Sequence, residues 1–198
     1  MRRLAMAAFA AATLLGMGTA SADVRVETAT KFYTIKGKSG VDLIRNMDRR
    51  GPRSGLMARA IAQTSYTVGW EFGWDRDGSS CRLRSADGLL DVTYTYPKLS
   101  GGQTAAVVRR WNRFIKGVTI HEEHHGKLAH QMVRSAERAV AGIKTRNDPR
   151  CRKAQAEAKK RIGKVYAQYE ARQVKFDKIE HAQGGNVFRL LSGLAGER

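Results

Sequence analysis

Tyr66, Val68, Trp70, Phe72 and Trp74 occupy every second position between Thr64 and Trp74. Side chains of an extended strand point alternately to opposite faces, so this spacing puts five large apolar groups on one face of a half-buried strand. Such a stripe is read as core or sheet surface. Asp75-Arg76-Asp77-Gly78-Ser79 is turn chemistry. Strand character resumes from Cys81 to Tyr96 through Leu89, Val92, Tyr94 and Tyr96, and Pro97 is expected to end it. The two segments should pair antiparallel. Upstream, Val24 to Ile35 alternates in part and reads as one or two strands, and Val41 to Met47 as a short helix stopped at Arg50-Gly51-Pro52.

The second half changes period. Ser100-Gly101-Gly102-Gln103 has the form of a capping box. A helix should follow with Ala106, Val107, Trp111, Phe114 and Ile115 on one face, and Gly117 marks a break or bend. A second helical segment is predicted from about Val118 to Ile143. Asn147-Asp148-Pro149 should turn the chain, with Pro149 opening a last long helix whose apolar line runs from Cys151 through Ala154, Ala158, Ile162, Val165, Tyr169 and Phe176. The expected fold class is α+β, a small antiparallel sheet followed by long antiparallel helices.

The N-terminus bears on compartment. Arg2-Arg3, an apolar run from Leu4 to Gly18 and the small residues Ala20-Ser21-Ala22 are ordered like a secretory signal peptide. Residues 1–22 are therefore expected to be removed, leaving residues 23–198 as one domain without a membrane span, in the periplasm or secreted. The two cysteines, Cys81 and Cys151, are then expected to form one disulfide in an oxidising compartment. The net charge of +18 falls to +16 without Arg2 and Arg3. A surface so basic is attracted to anionic envelope polymers. The basic residues do not interleave with aromatics as a base-stacking platform would, which argues against specific nucleic-acid binding.

Three of the five histidines fall within five residues, in His121-Glu122-Glu123-His124-His125. On a helix, residues i and i+4 share a face one turn apart, so His121 and His125 can close on one zinc ion. Zinc lowers the pKa of a water it binds toward about 7. Glu122, beside the first histidine, is then placed to take that water's proton and pass it to a leaving amine. A competing local reading exists. Thr119-Ile120-His121-Glu122 also fits a capping box, in which Glu122 would only cap a helix start, with Glu123 and Lys127 an ordinary surface pair.

A catalytic zinc usually takes a third protein ligand. His130 would point about 140° away from His125 on one helix. Counting equal helix lengths from a turn near Arg146 brings Tyr169 to Gln173 level with the motif and favours Glu170. His181 is the other remaining histidine, with Asp177 one turn before it, and the pair could supply a ligand and its orienting carboxylate.

Cys81-Arg82-Leu83-Arg84, Leu90-Asp91-Val92-Thr93-Tyr94, Pro97, Trp111, His121 to Gly126, Cys151 and Phe176-Asp177-Lys178-Ile179-Glu180-His181 carry a resemblance. Over most of residues 23–198 the chain resembles the bacterial family known as domain of unknown function 922, described as predicted secreted zinc-dependent proteases. Its last motif resembles Tyr-Asp-x-x-Thr-x-His-Gly. Here Phe176 replaces Tyr, Glu180 stands at the Thr, and His181 comes one residue early. The resemblance implies a minimal zincin-like protease fold. The expected function is therefore an exported zinc peptidase acting on a protein or peptide, with His121, His125 and His181 on zinc and Glu122 as general base. The alternatives are a zinc amidase acting on peptidoglycan peptides and a non-catalytic basic protein that binds anionic envelope polymer.

Overall fold

The computed structural model describes residues 24–54 and 58–196. The expected signal peptide lies outside them. Strand β1 (Arg25–Ile35) leads into helix α1 (Gly40–Arg50), the short strands β2 (Arg53–Ser54) and β3 (Ala58–Arg59), and the long hairpin β4 (Gln63–Asp77) and β5 (Ser80–Leu99). Helix α2 (Ala105–Val140), strand β6 (Lys144–Thr145), and helices α3 (Arg152–His181) and α4 (Asn186–Ala195) follow. The class is α+β, as expected.

The β4–β5 pair is antiparallel and turns at Gly78-Ser79, with Gly78 at φ 54°. The sheet as a whole is mixed, not antiparallel. β1 lies on the other side of β5 and runs parallel to it, from Arg25 opposite Leu89 to Ile35 opposite Leu99. Alternation shows which residues share a face but is blind to strand direction. The long link through α1 and β4 allows β1 and β5 to run the same way.

Pro97 does not end β5, which continues to Leu99 opposite β1. The N–H of Ser100 donates to Ile35 O at 3.1 Å. Backbone donors alternate along a strand, so the missing donor of Pro97 faces the other edge. There β4 has already stopped pairing, at Gln63 opposite Thr95. No ladder bond is lost.

α2 is one helix of 36 residues, about 54 Å long, with no break at Gly117. A Cβ at Gly117 would come within 2.5 Å of the Leu190 side chain, so the glycine admits α4 against α2. Its cap is Thr104, whose Oγ1 accepts from Val107 N, and Gln103 instead donates to Gly37 O. Val107, Trp111, Phe114 and Val118 bury one end of the stripe with Ile35, Leu43 and Leu194. Ala129, Met132 and Val133 bury the middle under Leu90 and Val92, and Ala136 and Val140 the far end against Cys81 and Cys151.

Cys81 and Cys151 form the expected disulfide, fully buried, with Cα atoms 5.3 Å apart. Pro149 does not open α3. The helix starts at Arg152, where the Asp148 carboxylate accepts from Ala154 N at 2.9 Å and from Thr145 Oγ1 at 2.8 Å. Among the described residues, no helix is long and apolar enough to cross a membrane.

Candidate metal centre

His121, Glu122 and His125 interrupt the apolar stripe of α2 on its own face. Val118 precedes them by one turn and Ala129 follows by one. Stripe positions are buried whatever occupies them, and His121 and Glu122 are each only 6% exposed. A buried polar group without a partner costs about 1–3 kcal/mol. The partners come from α3 and β4.

Glu122 lies midway along α2, far from any helix start, so the capping-box reading of Thr119 to Glu122 does not hold. Its carboxylate Oε2 is 2.7 Å from Thr64 Oγ1, which also lies 2.9 Å from Glu122 O and shares one proton between the two. Thr64 opens the aromatic strand β4 and so ties the sheet to the motif. Nothing in the sequence marks it out.

On α3, Gln173, Asp177 and His181 follow one another at four-residue spacing and so share a face. The Gln173 amide is oriented by its second bond. Its Nε2 donates to His125 O at 3.2 Å, which leaves Oε1 as the acceptor 2.5 Å from His125 Nδ1. Nδ1 therefore carries the proton, and in the neutral ring Nε2 of His125 presents its lone pair to the cluster. That nitrogen is 3.3 Å from His121 Nε2 and 2.9 Å from Asp177 Oδ1, and Asp177 Oδ1 is 3.3 Å from His121 Nε2. The buried Nδ1 of His121 has no hydrogen bond, and Glu180 Oε2 stands 3.5 Å from it. Exposed His181 belongs to the same group, with His121, Asp177 and His181 offering ligand atoms within 4.8 Å of one another. The His121 and His124 rings stack on Phe176 at centroid distances of 4.8 and 4.1 Å.

The third-ligand candidates now separate. His125 is level with Gln173 and His121 with Asp177, so the α2–α3 hairpin is symmetric about Pro149 rather than Arg146. A turn centre three residues later moves each opposite position by six. That carries Glu170, which the equal-length count favoured, about two turns away from Asp177. The hydroxyl of Tyr66 is pushed up by burial and then by the Glu170 charge.

The electrostatics favour a cation. Burial alone would raise the Asp177 carboxyl, but hydrogen bonds with His121 and His125 outweigh it and hold the group well below the ordinary carboxylate range. Burial would lower His125, but its protonated ring donates from Nε2 to Asp177 as well as from Nδ1 to Gln173, and these bonds outweigh burial and raise it. The cluster lines a cleft of about 590 Å³ whose walls include Thr64, Tyr66, Val118 and Val187. Ligands about 2.0–2.1 Å from a tetrahedral zinc lie about 3.3 Å from one another. The triangle of His121 Nε2, His125 Nε2 and Asp177 Oδ1, with edges of 3.3, 2.9 and 3.3 Å, fits one face of such a site.

Fold and cluster together define an α+β protein with a group of three histidines and one carboxylate set between two long antiparallel helices. Residues 30–185 match the family described as "Bacterial protein of unknown function (DUF922)", and the chain belongs to it. No curated protein and no solved structure matches.

Proposed function

We propose that this protein is an exported zinc-dependent hydrolase that cleaves peptide bonds, with a zincin-like site. The observation that carries the reading is the 2.9–3.3 Å triangle of His121 Nε2, His125 Nε2 and Asp177 Oδ1. These three would hold the metal, and His181 offers a further ligand atom within 4.8 Å of those of His121 and Asp177. Zinc, when bound, supplies Lewis acidity that makes water acidic near neutral pH. Glu122 takes the proton of the attacking water and returns it to the leaving amine, while Thr64 keeps its carboxylate turned. A polypeptide suits the cleft because β4, which opens at Gln63 and Thr64 on its wall, is hydrogen-bonded within the sheet only to β5 among the described residues. An extended chain can add to such an edge through its backbone. The buried disulfide supports an oxidising compartment.

Metal analysis of the mature chain beside His125→Ala tests the reading. About one zinc per chain is expected, lost in the variant. No zinc in either protein after metal is added would end the proposal. Incubation with unstructured protein and with purified peptidoglycan then separates a peptidase from a wall amidase.

Gln173 provides a second test. Gln173→Met removes the acceptor that fixes the His125 tautomer, and zinc affinity should fall about 10–100-fold in competition with a chromophoric chelator. In metal-free protein, ¹⁵N shifts should show His125 Nδ1 protonated in the native chain and the tautomers mixed in the variant. Unchanged affinity and shifts would reduce Gln173 to packing.

A further inference from the structure

Lys153, Lys160, Lys164, Lys175 and Lys178 lie on α3 and are all exposed. At about 100° per residue they fall within about 60° of one another around the helix, and at about 1.5 Å per residue they extend over about 37 Å. This row lies opposite the buried face of Ala154, Ala158, Ile162 and Tyr169. Between the lysines, in or beside the same strip, lie exposed Ala167 and Ala171 together with Glu157. Elsewhere basic side chains meet acids, as in Arg25 with Glu71, Arg82 with Asp75 and Arg161 with Glu157. None of the five lysines forms an ion pair among the described residues. Glu157, the one acid within the strip, bonds Arg161 at 2.8 Å, and exposed Glu170 lies about 100° round the helix. Like charges at i,i+4, such as Lys160 and Lys164, destabilise a helix. Glu157 offsets only part of the row, since its carboxylate is shared with Arg161 and one acid stands against five lysines.

We propose that the outer face of α3 is a docking rail for a linear polyanion, read by charge alone. The charges form a line rather than a patch, which suits a flexible polymer laid along the helix. Lysine is a point charge on a flexible stem and tolerates irregular phosphate spacing, where arginine would demand a bidentate fit. No aromatic residue lies in the row to stack bases, and the exposed apolar side chains Val174 and Ile179 flank it on opposite sides, about 40° beyond its edges, rather than forming one face to enter a lipid surface. Lys178 follows Asp177 about 100° round the helix, so the rail and the cleft lie on neighbouring faces of α3. The rail is independent of the metal and of the reaction catalysed there.

The test uses the full mature chain and inorganic polyphosphate, with binding followed across a salt series. One variant carries Lys153→Gln, Lys160→Gln, Lys164→Gln, Lys175→Gln and Lys178→Gln. A control of equal net charge carries Lys31→Gln, Lys36→Gln, Lys38→Gln, Lys98→Gln and Lys144→Gln, all exposed positions off α3. Glutamine is nearly as good a helix former as lysine, and circular dichroism confirms that both variants fold. The row variant should lose about 3.5 from the slope of log K against log salt, at about 0.7 per neutralised charge on a single-stranded polyanion, and the control less than about 1. Equal losses in both would reduce the effect to net charge and overturn the rail. Unchanged binding in the row variant would also overturn it. So would row-dependent binding to phosphatidylglycerol vesicles without binding to polyphosphate, which would make the face a membrane contact.

Discussion

Glu122→Gln is expected to bind zinc as the native chain does and to lose about 10²–10⁴-fold in kcat for peptide hydrolysis. Glu122 contributes no atom to the triangle of His121, His125 and Asp177, so the metal should not register the change. The amide matches the carboxylate in shape, and its oxygen can still accept from Thr64 Oγ1 at the position now 2.7 Å away. Thr64 also keeps its contact with Glu122 O. Only the capacity to accept a proton from water is removed. Metal content and turnover of an unstructured protein substrate, measured on the same preparation, decide the matter. Full turnover with zinc bound would exclude Glu122 as the base, and loss of zinc together with activity would make it a structural residue.

The capping residues show how far local sequence can be trusted. Ser39-x-x-Asp42, Ser100-x-x-Gln103 and Thr119-x-x-Glu122 all have the capping-box form. Only the first is one: Ser39 Oγ accepts from Asp42 N, and the Asp42 carboxylate accepts from Ser39 N at 3.2 Å. The reciprocal bonds need a chain that enters a helix at that residue, and a four-residue pattern carries no such information. Gly117 misleads for a related reason. Its missing side chain answers Leu190, more than 70 residues away, not the local backbone.

The site was legible where one helix builds it and illegible where several elements do. His121, Glu122 and His125 follow from a single helical period. That they replace apolar residues on the stripe running from Val107 to Val140 is also readable, and it would have placed them in the interior. Gln173 could have been found as the position one turn before Asp177 on the face that leads to His181. The level at which α3 meets α2 could not, because it depends on where the intervening turn is centred, and Asp148 sets that by capping Ala154. Thr64 depends on how the sheet lies across α2, which no pattern within either segment records.

Replacing both Cys81 and Cys151 by Ala should lower stability by about 4 kcal/mol in the chain-entropy model, since the bridge spans 70 residues of sequence. For a chain of this size that corresponds to a fall in Tm of about 8–16 °C. The folded variant should nonetheless keep most of its zinc affinity. Between the disulfide and the metal centre, α3 is held in register by Arg161 Nη1 donating to Ala139 O at 3.1 Å, Trp70 Nε1 donating to Tyr166 OH at 2.8 Å, and the Ser135–Tyr169 hydroxyl pair at 2.9 Å. Those bonds keep Asp177 opposite His121 whether or not the far end of the helix is tied to β5. Stability and affinity should therefore separate in thermal melts and zinc titrations of the variant. Free zinc at about 1,000 times its Kd stabilises a folded chain by about 4.1 kcal/mol, so saturating zinc should restore roughly what the bridge supplied. A variant that melts low, binds zinc weakly and is not rescued by excess metal would mean that the disulfide, rather than the bonds along the hairpin, sets the register of the site.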